Sequence, residues 1–558
     1  MPPAVAPRPL SPPPSLAAQA NERSPLARAT LLLCFALAVV GVWFRFWRLD
    51  HLPGLNGDEA WGGVQAARMA AGEEVPWRTP TGNPLNPFFF LPLAALHALW
   101  PASIELLRLP AALSGVLALA VNYLLCRRTF DRRTAAISTL LLAVLPVNIA
   151  YSRFGWDASQ TLLASVLVIY PALRFAREPA RRGPLLWSAI ALGGAMLVHP
   201  TNIFLTPFLV VAAAVAWRDD MARLAKRPWN VRHLALLLAS IAAAAVVAWL
   251  GRHWLAVAGG RLLAPHEGAE FARHYMRLFS GATVYQYIAG ALRPAAGEFS
   301  WMLAAHDLAA LAAALFIAGT WWTMLRRKVR RQPLAERADH NGKADVCLAF
   351  AGALMVLGFF LVAGPKAIAP HYERYAICLV APGALLAARA AAWLLVAAKA
   401  TNAQRRLSAG LACAGGALLA SCYLHYFDFM IRTGGASHVA FRTAEVDPKE
   451  QALRHILARR EGPRPVYIVA SSWWSYWPLA YLASGETGVY VITGEGAYEQ
   501  QDVQQALHAG NLWVVEFTGT AEHREAIEQL TRNGRRAEEW EFAGSDGAAV
   551  LTVIEPRR

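Results

Sequence analysis

The sequence predicts a polytopic α-helical membrane protein with a small soluble α/β domain at its C-terminal end. Three observations predict it. Of 558 residues, 56% are hydrophobic and 16% are charged, where an ordinary soluble domain carries about a quarter charged residues. The mean hydropathy is +0.32. Apolar runs of roughly 17–25 residues recur, the length that crosses a hydrocarbon core of about 30 Å. A crossing chain must satisfy its backbone internally, so each run is read as a helix. The net charge of +15 does not point to nucleic acid, because the basic residues cluster in short loops between the runs, as membrane topology requires.

Residues 1–28 are rich in Pro and Ala without apolar periodicity and read as a disordered cytoplasmic tail. About eleven spans follow, near 29–47, 104–126, 134–151, 158–174, 184–199, 202–217, 232–251, 301–325, 345–363, 374–397 and 407–428. The first is a signal-anchor rather than a cleaved signal, since Arg45 and Arg48 stand at its end in place of small residues. With the N-terminus cytoplasmic, the basic clusters Arg127-Arg128, Arg181-Arg182, Arg326-Arg327-Lys328 and Arg405-Arg406 all fall on one side. The opposite, periplasmic side receives loops 48–103, 152–157, 199–202, 252–300 and 364–373 and the tail 429–558. The aromatic run from Asn86 to Trp100 suits a short helix lying at the interface.

The tail changes composition. Strand-like runs lie at 466–469, 489–492, 512–517 and 550–554, and helical periodicity at 450–460 and 521–533. The alternation predicts a sheet covered by helices. Neither a dinucleotide-binding nor a Walker-type glycine pattern occurs. The six cysteines lie in or beside apolar spans without a CxxC pair and read as small buried hydrophobes.

Chemistry points to Gly57-Asp58-Glu59, just beyond the first span. A general base needs a carboxylate within hydrogen-bond reach of the proton it takes. A solvated acidic turn is the plainer reading of the pair alone. Asp58, Asp157 and His199 also offer oxygen and imidazole ligands that a divalent metal would accept. Trp61, Trp77, Tyr151 and Trp156 offer rings that stack on a sugar or sit in an interfacial belt.

The loop continues through Ala67-Arg68-Met69, Pro76-Trp77 and Asn86-Pro87 into the aromatic run. In this order it resembles the first periplasmic loop of the GT-C glycosyltransferases, above all bacterial relatives of protein O-mannosyltransferases and of aminoarabinose transferases. Leu107-Arg108-Leu109-Pro110, Tyr151-Ser152-Arg153 and Glu373-Arg374-Tyr375 agree with the same family. The likeness covers roughly residues 30–400. It implies a GT-C type membrane domain over 29–428. It also implies transfer from a polyprenyl-phosphate sugar, with Asp58 as base and Glu59 assisting. The chain has Asn86-Pro87-Phe88 where aminoarabinose transferases have Lys-Pro-Pro, which argues against that subfamily and its lipid A acceptor.

A departing lipid phosphate is stabilised by fixed cations, and Arg matches phosphate oxygens bidentately. Arg153, Arg374, His371 and Lys366 share the predicted face, each equally able to anchor a helix end by snorkelling. Arg68 is a further candidate that also suits pairing with Asp58 or Glu59. Partners are then the lipid-linked donor, the membrane and a lipid, glycan or protein acceptor, without nucleic acid. The setting is the bacterial inner membrane. A lipid-linked-sugar flippase or a non-catalytic envelope-assembly subunit are the alternatives.

Overall fold

The structure, a computed structural model, describes residues 25–224, 265–280, 339–363, 373–397, 401–428 and 446–557 apart from 494, 495 and 546, with isolated positions at 307, 315, 318, 319, 321, 322, 430 and 431. The expected tail to residue 24, the span 232–251, most of the span 301–325, and Lys366 and His371 lie outside them.

The helices are α1 Pro25–Phe46, α2 Gly57–Ala70, α3 Pro87–His97, α4 Ile104–Thr129, α5 Arg132–Val144, α6 Pro146–Ser152, α7 Thr161–Arg177, α8 Gly183–Val198, α9 Thr206–Leu224, α10 Pro265–Ser280, α11 Asp339–Ala363, α12 Val380–Ala397 and α13 Thr401–Cys422. Six described helices are long and apolar enough to cross a membrane, or seven if the bent pair α5 and α6 is one span. The expected count of eleven is therefore not reached among the described residues. α8 has only 16 residues, and α1 starts at Pro25, inside the expected tail. Leu113, Leu117 and Leu124 on α4 and Phe350 and Leu357 on α11 point outward, as a lipid-facing surface requires.

The expected span 134–151 is broken rather than straight, with α5 and α6 meeting at 62°. Pro146 has no N–H and cannot continue the ladder. The carbonyls it frees are taken up by side chains. Arg45 donates to Ala143 O at 3.0 Å and Leu142 O at 3.1 Å, and Asn148 donates to Leu142 O at 3.2 Å. Arg45, read as a flanking charge, is thus fully buried. Gly41 permits the approach, since a Cβ there would lie 2.4 Å from Ala143 O. Farther down, Asn122 on α4 joins Thr139 on α5 at 2.9 Å and Tyr170 on α7 at 2.8 Å. Such interhelical bonds are the adhesive of a bundle in lipid.

The bundle has two polar ends. At one, Arg389 pairs with Asp345 at 2.6 Å and Asp131 at 3.0 Å, and Arg177 donates to Thr129 O at 2.7 Å. At the other gather α2, α3 and the loops after α1, α6 and α8.

The C-terminal domain comprises α14 Val446–Ala458, β1 Val466–Val469, α15 Trp473–Leu482, β2 Val489–Ile492, α16 Gln501–Ala509, β3 Leu512–Phe517, α17 Ala521–Arg532, β4 Arg536–Ala543 and β5 Ala549–Arg557. The sheet order is β2-β1-β3-β5-β4. β1 runs parallel to β2 and β3, and β5 runs antiparallel to β3 and β4. The expected strands are all present. β4 was not expected, because Arg536-Ala537-Glu538-Glu539 is poor in strand formers. Its charges suit a solvated edge that must resist pairing with another chain.

Candidate active site at the Asp58 end of the bundle

Helix α2 begins where the sequence provides a reciprocal cap. Asn56 Oδ1 accepts from Asp58 N at 2.7 Å, and Glu59 Oε1 accepts from Asn56 N at 3.1 Å. This capping box fixes Asp58 in the first turn. The positive end of the helix favours negative charge there.

Glu59 is completely buried and ion-paired. Arg108 Nη2 reaches Glu59 Oε1 at 2.5 Å and Arg108 Nε reaches Oε2 at 3.1 Å. Gly155 N adds a bond to Oε2 at 2.9 Å. Arg108 gives its remaining N–H groups to Leu49 O, Pro53 O and Gly54 O at 2.9, 2.9 and 3.1 Å. A buried ion pair is sustained only when such bonds saturate it. Gly155 is required here, because a Cβ would stand 2.9 Å from the Leu107 side chain and 3.3 Å from Glu59 Oε2. Glu59 and Arg108 therefore form a plinth that joins the loop after α1, the start of α4 and loop 153–156.

Asp58 is half-buried. Its Oδ1 accepts the indole N–H of Trp473, from the C-terminal domain, at 3.1 Å. Close by, Lys449 donates to Leu55 O at 2.7 Å while fully buried. Burial pushes the Lys449 ammonium down to about 7, against the opposing pull of Glu59 and with a push from Arg108. Tyr481 donates to Ser103 O at 2.7 Å. None of Arg108, Lys449 and Trp473 stood out as site residues in the sequence. An arginine entering an apolar span is a usable signal, since it demands a partner. Lys449 and Trp473 lie 394 and 415 positions from their partners and gave none.

The other candidates separate. Arg153 is buried and turned inward. It donates to Phe44 O at 2.5 Å, Leu52 O at 2.8 Å and Arg48 O at 3.2 Å, with its guanidinium 4.8 Å from the Phe427 ring centroid. That geometry ties down the end of α1. It does not present a cation to a phosphate. Arg68 is half-exposed and meets Glu73 at 3.8 Å, not Asp58 or Glu59. Arg374 lies in the one-turn helix Glu373–Ala376, and its side chain is outside the described ones. The neighbouring Tyr375 ring packs 5.9 Å from His199, so this turn belongs to the Asp58 end. His199 is buried, with Nδ1 2.7 Å from the Thr201 hydroxyl. The Asp157 side chain is likewise outside the described ones. Among the described residues no three His, Cys, Asp or Glu could hold one metal ion. Trp61 is buried, whereas Trp77 is 89% exposed.

The aromatic run forms α3, capped by Asn86 Oδ1 to Phe88 N at 3.0 Å. Asn86 also donates to Gln160 Oε1 at 2.9 Å, and Gln160 to Phe88 O at 2.8 Å. Beside this junction opens an apolar cavity of about 1080 Å³ that runs between α4, α7 and α8. Phe88, Pro92 and Gln160 line one end, Arg128 and Arg174 the other. It contains no acid, so it suits an apolar chain and not the reacting groups.

Residues 83–249, under a third of the chain, match the family model of dolichyl-phosphate-mannose-protein mannosyltransferase. No curated protein matches the chain in sequence. Among solved structures, ArnT from Cupriavidus metallidurans bound to undecaprenyl phosphate is 17% identical, with 94% of this chain and 97% of that one covered and a TM-score of 0.47. The same protein in the apo state is 18% identical, with 95% and 98% covered and a TM-score of 0.48. The Archaeoglobus fulgidus oligosaccharyltransferase in the apo form is 15% identical, with 88% and 69% covered and a TM-score of 0.43.

Proposed function

We propose that the protein is a multi-pass membrane glycosyltransferase that moves a sugar from a polyprenyl-phosphate carrier to an acceptor hydroxyl with inversion, Asp58 acting as general base. The observation that carries this reading is the placement of Asp58. Its helix start is held by the buried Glu59–Arg108 pair while its own carboxylate stays half-exposed at one end of an apolar bundle. The family match over 83–249 supports a lipid-phosphate donor.

Asp58 takes the proton of the acceptor hydroxyl. The acceptor oxygen forms a bond to the anomeric carbon from the face opposite the leaving group. The bond from that carbon to the phosphate oxygen breaks, and polyprenyl phosphate leaves with the electron pair. Glu59 assists by holding the helix start, not by touching substrate. Lys366, His371 and Arg374 are the remaining cations for the leaving phosphate, since Arg153 is engaged with backbone carbonyls. The cavity beside α3 takes the isoprenoid chain. From Pro110 to Thr129 it follows α4 for about 28 Å at 1.5 Å per residue, close to one hydrocarbon thickness. The reaction face is periplasmic, in a bacterial inner membrane, with the N-terminus cytoplasmic. Flipping a lipid-linked sugar would favour charges at mid-bilayer. The central turns of α4 and α7 carry no charged side chain.

The test is product analysis with purified protein in liposomes, supplied with polyprenyl-phosphate sugars and cell-envelope acceptors. Release of polyprenyl phosphate with an anomerically inverted product is expected. Movement of intact donor across the bilayer without cleavage, or a retained anomer, overturns the reading.

A further inference from the structure

We infer that Trp473 is a positioning residue for the transfer reaction, its indole N–H fixing one oxygen of the Asp58 carboxylate so that the C-terminal domain completes the active site. This rests on Asp58 being the base. The bond is 3.1 Å long, and both partners are confined. Asp58 sits in a capped first turn. Trp473 is pressed onto the residue before it. A Cβ on Gly57 would lie 2.7 Å from Trp473 Cδ1, 2.8 Å from Trp473 O and 2.9 Å from the Trp474 ring. Trp473 packs edge-on against Trp477 at 5.4 Å, and Trp477 against Trp61 of α2 at 6.4 Å.

The domain carrying the indole is itself clamped. Lys449 holds Leu55 O three residues before Asp58, and Tyr481 holds Ser103 O at the start of α4. Gly63 admits the Tyr481 ring, whose atoms would come within 2.5 Å of a Cβ. The chemistry explains why an indole belongs there. The terminal torsion of an aspartate is broad and two-fold, so an unclamped carboxylate spreads over orientations. Removing a proton along one line needs a defined orientation. An indole only donates. It therefore favours the ionised carboxylate and never competes for the proton being transferred.

The test is Trp473→Phe in the full-length protein, with incorporation of 3-benzothienylalanine at position 473 as a partner variant that keeps the bicyclic shape and lacks the N–H. Both are expected to lower kcat about tenfold, the scale of one lost hydrogen bond to a charged group. Donor KM stays within about twofold, and the melting temperature of the benzothienyl protein is unchanged. The acidic limb of the kcat profile moves to higher pH, which a packing role would not produce. Wild-type kcat with an unmoved limb in the benzothienyl protein overturns the inference, whatever Trp473→Phe does to folding. Asp58→Asn separates the two readings. If it abolishes transfer while both Trp473 variants behave as wild type, only the role of Trp473 fails. If Asp58→Asn retains transfer, the base assignment fails and this inference with it.

Discussion

Arg108 closes a two-pronged ion pair on Glu59, and neither side chain is exposed to solvent. The pair sits directly behind Asp58 and spends every N–H of the guanidinium on this one junction. Adjacent carboxylates in the sequence thus divide the labour, Glu59 building the floor and Asp58 taking the indole N–H of Trp473.

Arg108→Met should therefore act on stability more than on substrate affinity. Removing one partner strands a buried charge, which costs about 3–5 kcal/mol. Thermal unfolding in detergent should show a clear drop in melting temperature for Arg108→Met and Glu59→Gln alike. A Glu59→Gln protein as stable as the parent contradicts the plinth.

Arg153→Lys should lower stability while leaving the donor KM within about threefold, because three backbone carbonyls lose a planar fork that an ammonium cannot reproduce. Steady-state kinetics beside a melting curve separates the outcomes. A large rise in donor KM without loss of stability would restore Arg153 as a phosphate ligand.

Lys449 predicts a pH dependence of domain docking. Its ammonium is pushed down to about 7 by burial, from the ordinary 10.5. Between those values the unfolded chain binds a proton that the folded chain has released, so stability rises with pH above about 7 and is lowest below it. The gain from pH 7 to pH 9 has an upper bound of about 2–3 kcal/mol. Protection factors of the α14 and α15 amides, with the base-catalysed intrinsic rate divided out, should rise over that range in the parent and stay level in Lys449→Met. Equal pH dependence in both proteins refutes the assignment.

Gly57→Ala and Gly63→Val should loosen the C-terminal domain, since Trp473 and Tyr481 occupy the space that a side chain needs. Limited proteolysis should cut between the bundle and the domain sooner in these variants than in the parent. Unchanged cleavage means that the close approach does not hold the domain.

The bundle, the α/β tail and the Asp58–Glu59 pair were legible in the sequence because they rest on local pattern: apolar run length, alternation and a carboxylate beyond a span. The Asn56 to Glu59 spacing also announces a capping box, a local signal for which acid turns inward. The break at Pro146 was equally visible as a proline inside a span. The roles of Arg153 and Arg108 were not separable, because both are arginines at span ends and only three-dimensional packing decides which carbonyls or carboxylates each meets. Lys449 and Trp473 depend on docking between distant parts of the chain, which no local pattern encodes. β4 was hidden by its charges, which serve its edge position instead of its strand propensity.

The most direct measurement of the central claim is single-turnover sugar transfer by Asp58→Asn, in protein whose melting temperature matches the parent. General-base catalysis contributes about 10²–10⁴-fold, and a rate loss of that size is predicted with donor binding retained. Transfer within about threefold of the parent rate contradicts the assignment of Asp58 as the base.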